Sequence, residues 1–185
     1  MPYNHKNAQQ EQSESDQTRY PITMDGNVVQ LSEEQIGKVI KQKMAHDPAI
    51  LKLFKIFGIS INELNELTVE IVDLQKMYAQ TDLSKLQLDE NLFRTPDCMG
   101  KSFYILAHEL VHFLSRKKEA ENYMNDPEEF CGFSASISYL LLHNEDIDSI
   151  YNKIYPKIKP YFHNEHDVIN AFKKMVEDAK KIIAD

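Results

Sequence analysis

A chain of 185 residues, 42% hydrophobic and 27% charged, has the material for one domain with a single sizeable core, and its make-up is that of an ordinary globular protein. The net charge of −8, with basic residues dispersed or balanced by acids, argues against nucleic acid as a partner, because that needs a concentrated basic surface. Two cysteines, Cys98 and Cys131, are too few for a disulfide framework, residues 1–20 hold no apolar signal core, and no apolar run approaches the ~18 residues of a membrane span. The expected setting is reducing and cytoplasmic, without a membrane partner, although export without a cleavable signal fits the same sequence.

Residues 1–28 are rich in Gln, Asn, Ser and Glu and are expected to form a disordered polar arm, leaving residues 29–185 as one domain. Ser32 with Gln35 forms a capping box that opens a helix running to Met44, with Ile36, Val39 and Ile40 on its apolar face. Asp47-Pro48 opens a second helix carrying Leu51, Leu53, Phe54 and Ile56, and Gly58 closes it. Ser60 and Glu63 cap a short helical turn. The character then changes. Residues 68–74 and 85–88 alternate as strands, and 76–80 supply a third, shorter one, giving a small sheet with one wet face.

Thr95-Pro96-Asp97 ends the sheet, and a helix follows from Lys101 to Leu114. Arg116-Lys117-Lys118 complements the dipole at its C-terminal end. Asp126-Pro127 then starts a helix to about His143, with Phe130, Phe133, Ile137, Leu140 and Leu141 as its stripe. A proline-broken helical stretch occupies 145–162, and Asn164 caps a last helix striped by Val168, Phe172, Met175, Ala179 and Ile182. The fold class is α+β: N-terminal helices, a small sheet of two or three strands, two central helices and a helical tail over 145–185.

The helix over 101–114 contains His108-Glu109-Leu110-Val111-His112, an HExxH sequence among apolar residues on nearly every side. With seven His in the chain, chance produces HExxH in about 2% of such compositions, so the surroundings must carry the weight. Two imidazoles and a carboxylate are costly in a covered helix unless something pairs with them. Histidines four apart stand on one face, one turn above the other, so both rings can converge on one divalent ion, with Glu109 about 100° around the helix.

Catalytic zinc usually has three protein ligands and a water. The extended HExxHxxGxxH pattern fails, because Ser115 and Lys118 occupy the glycine and third-histidine positions. Glu129 and Glu128, in the first turn of the following helix, are the remaining choices, with His143, His163 and His166 behind them as exposed or capping residues. Glu129 has a second reading as the partner of Asp126 in a capping box. Gly100-Lys101-Ser102 is not a phosphate loop, since Thr95 stands where its first glycine belongs. Cys98 reads as a structural thiol, and the tyrosines at 139, 151, 155 and 161 as packing.

HExxH at 108–112, followed by Glu129 with Gly132 three residues on and approached by Tyr123…Pro127-x-Glu129, resembles minimal gluzincin-type zinc metallopeptidases, including small phage and bacterial proteins of that type. The resemblance covers about residues 68–142 and implies a metallopeptidase-like domain. It implies Zn2+ held by His108, His112 and Glu129, Glu109 as general base, and a protein or peptide substrate. Many gluzincins carry an acid four residues after the ligand glutamate to orient the first histidine; here that residue is Phe133, and Glu128 or Asp126 would have to substitute. Tyr123 is the candidate donor to the developing oxyanion, with Tyr161 and His163 as alternatives. The opposing expectation is a binding or structural protein in which the motif holds zinc without catalysis. Neither oligomeric state nor cleavage specificity is legible.

Overall fold

The computed structural model describes residues 18–75, 77–82, 84–117 and 127–184, the side chains of 117, 127 and 128 excepted. Its elements are β1 (Arg19–Met24), β2 (Asn27–Ser32), α1 (Glu33–His46), α2 (Pro48–Phe57), β3 (Thr68–Val72), β4 (Ala79–Asp82) and β5 (Lys85–Asp89), followed by α3 (Cys98–Lys101), α4 (Tyr104–Lys117), α5 (Pro127–Leu142), α6 (Ile147–Ile158) and α7 (Glu165–Ala184). Short 3-10 turns cover Ile61–Glu66, Glu90–Phe93 and Lys159–Tyr161. This is the α+β plan expected.

Local signals in the sequence set most helix ends. Ser32 and Gln35 form the capping box of α1. Asp47 accepts from the Ala49 and Ile50 amides at the start of α2, and Gly58 ends that helix in the left-handed region at φ 66°. Asn164 Oδ1 accepts from the Asp167 amide at the start of α7.

The N-terminal boundary needs correction. Residues 19–32 form an antiparallel hairpin, so a disordered arm over 1–28 does not hold for its last ten residues; residues 1–17 lie outside the described residues. Asp25 (φ 49°) and Gly26 (φ 79°) make the two-residue turn, a pair suited to positive φ at both positions. Composition hid the hairpin because Ile22 is the one buried residue of β1 and β2 has none. The third strand of the main sheet also lies slightly later than expected, at 79–82, after a turn with Gln75 at φ 56°.

The main sheet has the order β3-β5-β4, with β3 parallel and β4 antiparallel to central β5. Its wet face carries a polar ladder in register: Glu70 accepts from Gln87 at 3.0 Å and from Lys85 at 2.7 Å, and Gln80 donates to Gln87 at 2.6 Å. Leu86 and Leu88 point the other way into the core. The edge of β3 is covered by α1: the Ile71 amide donates to Glu33 at 2.8 Å, and Gly37 approaches Val69 so closely that an added Cβ would stand 3.3 Å from its Cβ. Strand β4 packs against α4 through Thr81.

Helices α4 and α5 pack against each other more extensively than any other pair of elements and form the centre of the molecule. Residues 103–111 and 132–140 are continuously buried. The α5 serines satisfy their hydroxyls locally or across the interface, Ser134 to Phe130 O, Ser138 to Ala135 O and Ser136 to Tyr104 O. Among the described residues no helix is long and apolar enough to cross a membrane.

His143 is exposed, as expected, and it also ties the end of α5 to the start of α2. Its Nε2 lies 2.8 Å from Asp47 Oδ2, and its ring stacks on Tyr139 at 4.2 Å. Asp47 thus holds two amides with one oxygen and an imidazole with the other. Asp47→Ala removes the cap and leaves His143 without its carboxylate, and it should cost about 2 kcal/mol in urea unfolding.

Candidate metal centre

His108 and His112 project from one face of α4 because they are one helical turn apart, their ring centroids 5.1 Å from each other. Glu129, in the first turn of α5, reaches both. Its Oε2 lies 3.3 Å from His108 Nε2 and its Oε1 lies 3.4 Å from His112 Nε2. One donor atom from each residue falls within 4.8 Å of the other two, and this is the one such His, Cys, Asp or Glu group among the described residues. Tetrahedral zinc with bonds of ~2.0–2.1 Å sets its donor atoms about 3.3 Å apart, and each imidazole lies at about that distance from one of the two Glu129 oxygens.

Both carboxylate oxygens of Glu129 face imidazoles. The hydrogen bond with His108 holds its carboxyl below the usual range, with burial opposing and the charges of His108 and His112 assisting. Asp126 lies outside the described residues, so the capping-box alternative has no partner to be read against.

What holds His108 in place is a steric fit. Gly132 sits one turn after Glu129, and a Cβ built there would come within 2.7 Å of His108 Nδ1 and Cε1 and 2.9 Å of its Cγ. The ring therefore rests on bare backbone, and the glycine is needed for space. Phe133 meets the same ring edge-on, with centroids 4.7 Å apart at 68°. At the position where an acid was expected, the chain supplies an aromatic wall, and His108 is oriented by packing.

Glu109 is buried beside the cluster. Burial pushes its carboxyl up from the usual value, while His108, His112 and Thr81 pull it back and Glu129 adds to the rise. Thr81 Oγ1 donates to the Glu109 main-chain oxygen at 3.1 Å, which fixes β4 against α4 at the site. Arg116, another turn along the His108–His112 face, donates from Nη1 to Thr81 O at 2.9 Å. The Asp89 amide bonds Tyr78 O, so by antiparallel alternation the backbone groups of Ala79 and Thr81 point to the outer edge of β4. Neither Thr81 nor Arg116 carried a sequence signal for the site, since one lies in a four-residue polar strand and the other in a basic helix end.

The structure thus brings His108, Glu109, His112 and Glu129 together. Tyr123 and Asp126 lie outside the described residues, as does the Glu128 side chain. His163 and His166 are exposed and apart from the cluster. Cys98 is half-buried with its thiol toward Asn91 O at 3.6 Å, as expected for a structural thiol. Tyr161 packs its ring on Phe133 at 6.4 Å and is 53% exposed, which leaves it the tyrosine bordering the cluster among the described residues. An apolar hollow of about 820 Å³ between α2, α5 and α7 includes none of the four grouped residues in its lining.

Comparison with protein-family models, with curated proteins and with solved structures returns no match for this chain.

Gly132→Ala tests the packing directly. Helix propensity favours alanine by about 1 kcal/mol, but the clash with a buried ring should reverse the sign to a net loss of about 1–3 kcal/mol. Thermal unfolding reads the stability, and imidazole nitrogen chemical shifts should report a displaced His108.

Proposed function

We propose that this protein is a zinc-dependent peptidase of the gluzincin type, acting on a protein or peptide. The observation that carries the reading is the convergence of two imidazole nitrogens and a carboxylate on one point, with a second, buried carboxylate beside them. Two nitrogens and an oxygen in a buried setting are a donor set for catalytic zinc that leaves a fourth position for water. Bound zinc supplies Lewis acidity toward a scissile carbonyl and lowers the pKa of its water toward ~7.

Glu109 holds the base role. Its carboxylate takes a proton from the attacking water and delivers it to the leaving amine, and the burial that raises its pKa matches that two-way task. A purely structural zinc site has no use for such a group. His108 is steadied by Gly132 and Phe133, which orient the first ligand by packing among the described residues. The outward backbone groups of Ala79 and Thr81 favour an extended substrate that adds to the β4 edge, beside Glu109. Tyr123 remains the candidate phenol for the oxyanion, with Tyr161, whose ring packs on Phe133, as the alternative among the described residues.

Metal analysis and turnover test this reading separately. Purified protein should carry near-stoichiometric zinc, and His108→Ala or Glu129→Ala should abolish retention through dialysis. Glu109→Gln should keep zinc and lose roughly 10²–10⁴-fold in peptide hydrolysis. Undiminished hydrolysis by Glu109→Gln would sink the mechanism, and metal content unchanged in His108→Ala would sink the site.

A further inference from the structure

Helix α6 and the turn after it carry three side chains at four-residue spacing that reach α4, the head of β4 and α5 in turn. Lys153 Nζ lies 5.9 Å from the centre of the Tyr104 ring, one turn before His108 on α4. Lys157 Nζ lies 4.6 Å from the centre of the Tyr78 ring, immediately before β4. Tyr161 meets Phe133 edge-on, and Phe133 itself meets His108. Lys157 therefore stands at the head of β4, the strand whose Thr81 bonds the Glu109 main chain.

The two lysines differ in how their charge is met. Lys153 pairs with Glu145. Lys157 is half-buried, and among the described residues its charge meets an aromatic ring and no carboxylate. Burial lowers its ammonium from the usual value, and burial is the sole cause acting on it. The same corner pushes the Tyr104 phenol up to about 12, chiefly by burial and then by Tyr78 and Glu145. A partly desolvated cation without an anion is costly, and an arriving carboxylate would offset that cost.

We propose that Lys157, set over the Tyr78 ring at the head of β4, anchors a carboxylate of the peptide substrate. Along β4, three residues separate Tyr78, under Lys157, from Thr81, which bonds the Glu109 main chain, about 10 Å at ~3.3 Å per residue. A substrate strand on the β4 edge then carries its carboxylate about three residues from the bond that is cut. Both a free chain terminus and an acidic side chain carry this chemistry. The proposal rests on the peptidase reading for the cut, but not for the binding.

The test is a titration of the full chain carrying Glu109→Gln, followed by the methyl proton resonances of the peptide. The probes are N-acetyl-tetraalanine as free acid, the same peptide as carboxamide, and a carboxamide form ending in aspartate. The free acid should bind at least 10-fold more tightly than the carboxamide. Lys157→Met should reduce it to the carboxamide level, and Lys157→Arg should retain the preference. Recovery of affinity by the aspartate probe assigns the anchor to side chains, and its failure assigns it to the chain terminus. Equal affinity of acid and carboxamide, binding of neither, or a preference that survives Lys157→Met overturns the proposal. Hydrolysis is read separately with the unsubstituted protein loaded with zinc: an acid preference without cleavage sinks the peptidase reading alone, and cleavage without an acid preference sinks the anchor alone.

Discussion

The contact on which the centre of this molecule depends is between an imidazole and a stretch of backbone. His108 lies flat against Gly132, and no side chain larger than hydrogen fits between α4 and α5 at that point. The approach sets the spacing of the two central helices. It lets Ser136 reach Tyr104 O across the interface, and it brings Glu129 within 3.4 Å of both histidines. A bulkier residue at 132 would part the helices exactly where three polar groups need one another. Buried imidazole and carboxylate groups are expensive alone. Their mutual contact offsets part of that cost, and a shared cation would offset more.

Much of the frame was legible because it is written in local chemistry. A capping box, an Asp-Pro start and a glycine stop each act within four residues, and each appears where the sequence puts it. The histidine pair is legible for the same reason, since helical periodicity alone puts residues 108 and 112 on one face. Glu129 is placed by tertiary contact, with its carboxylate facing both imidazoles. Its distance in sequence allowed the return of the chain, but the family resemblance singled it out from Glu128. The hairpin at 19–32 was obscured because Ile22 is its one buried residue and the apolar Met24 and Val28 lie exposed, although Asp25-Gly26 is a recognisable turn pair.

The residues that could not be read are those defined by tertiary contact. Phe133 occupies the place of an expected acid, and sequence reasoning treats that as a loss. In three dimensions its ring edge and the bare backbone of Gly132 confine the same imidazole, so orientation is achieved by shape where a hydrogen bond was anticipated. Thr81 and Lys157 lie 27 residues before and 49 residues after His108 in sequence, and no spacing rule links them to it. They matter because β4 and α6 flank α4.

The two edges of the main sheet are treated differently, and the difference gives the site its direction. The β3 edge is closed: Glu33 takes the Ile71 amide, Lys41 Nζ donates to Leu67 O at 3.2 Å, and Gly37 lets α1 press against Val69. An uncovered strand edge invites pairing with another chain, and natural sheets blunt theirs. On β4 the blunting is limited and local. Arg116 takes the Thr81 carbonyl, so the edge is occupied beside the histidine face but not at Ala79. The Ala79 backbone groups at that edge lie on the Tyr78 side of Thr81. Thr81 Oγ1 also bonds the Glu109 main chain, so the stretch of edge that Arg116 occupies is the stretch fixed against the residue with the buried carboxylate.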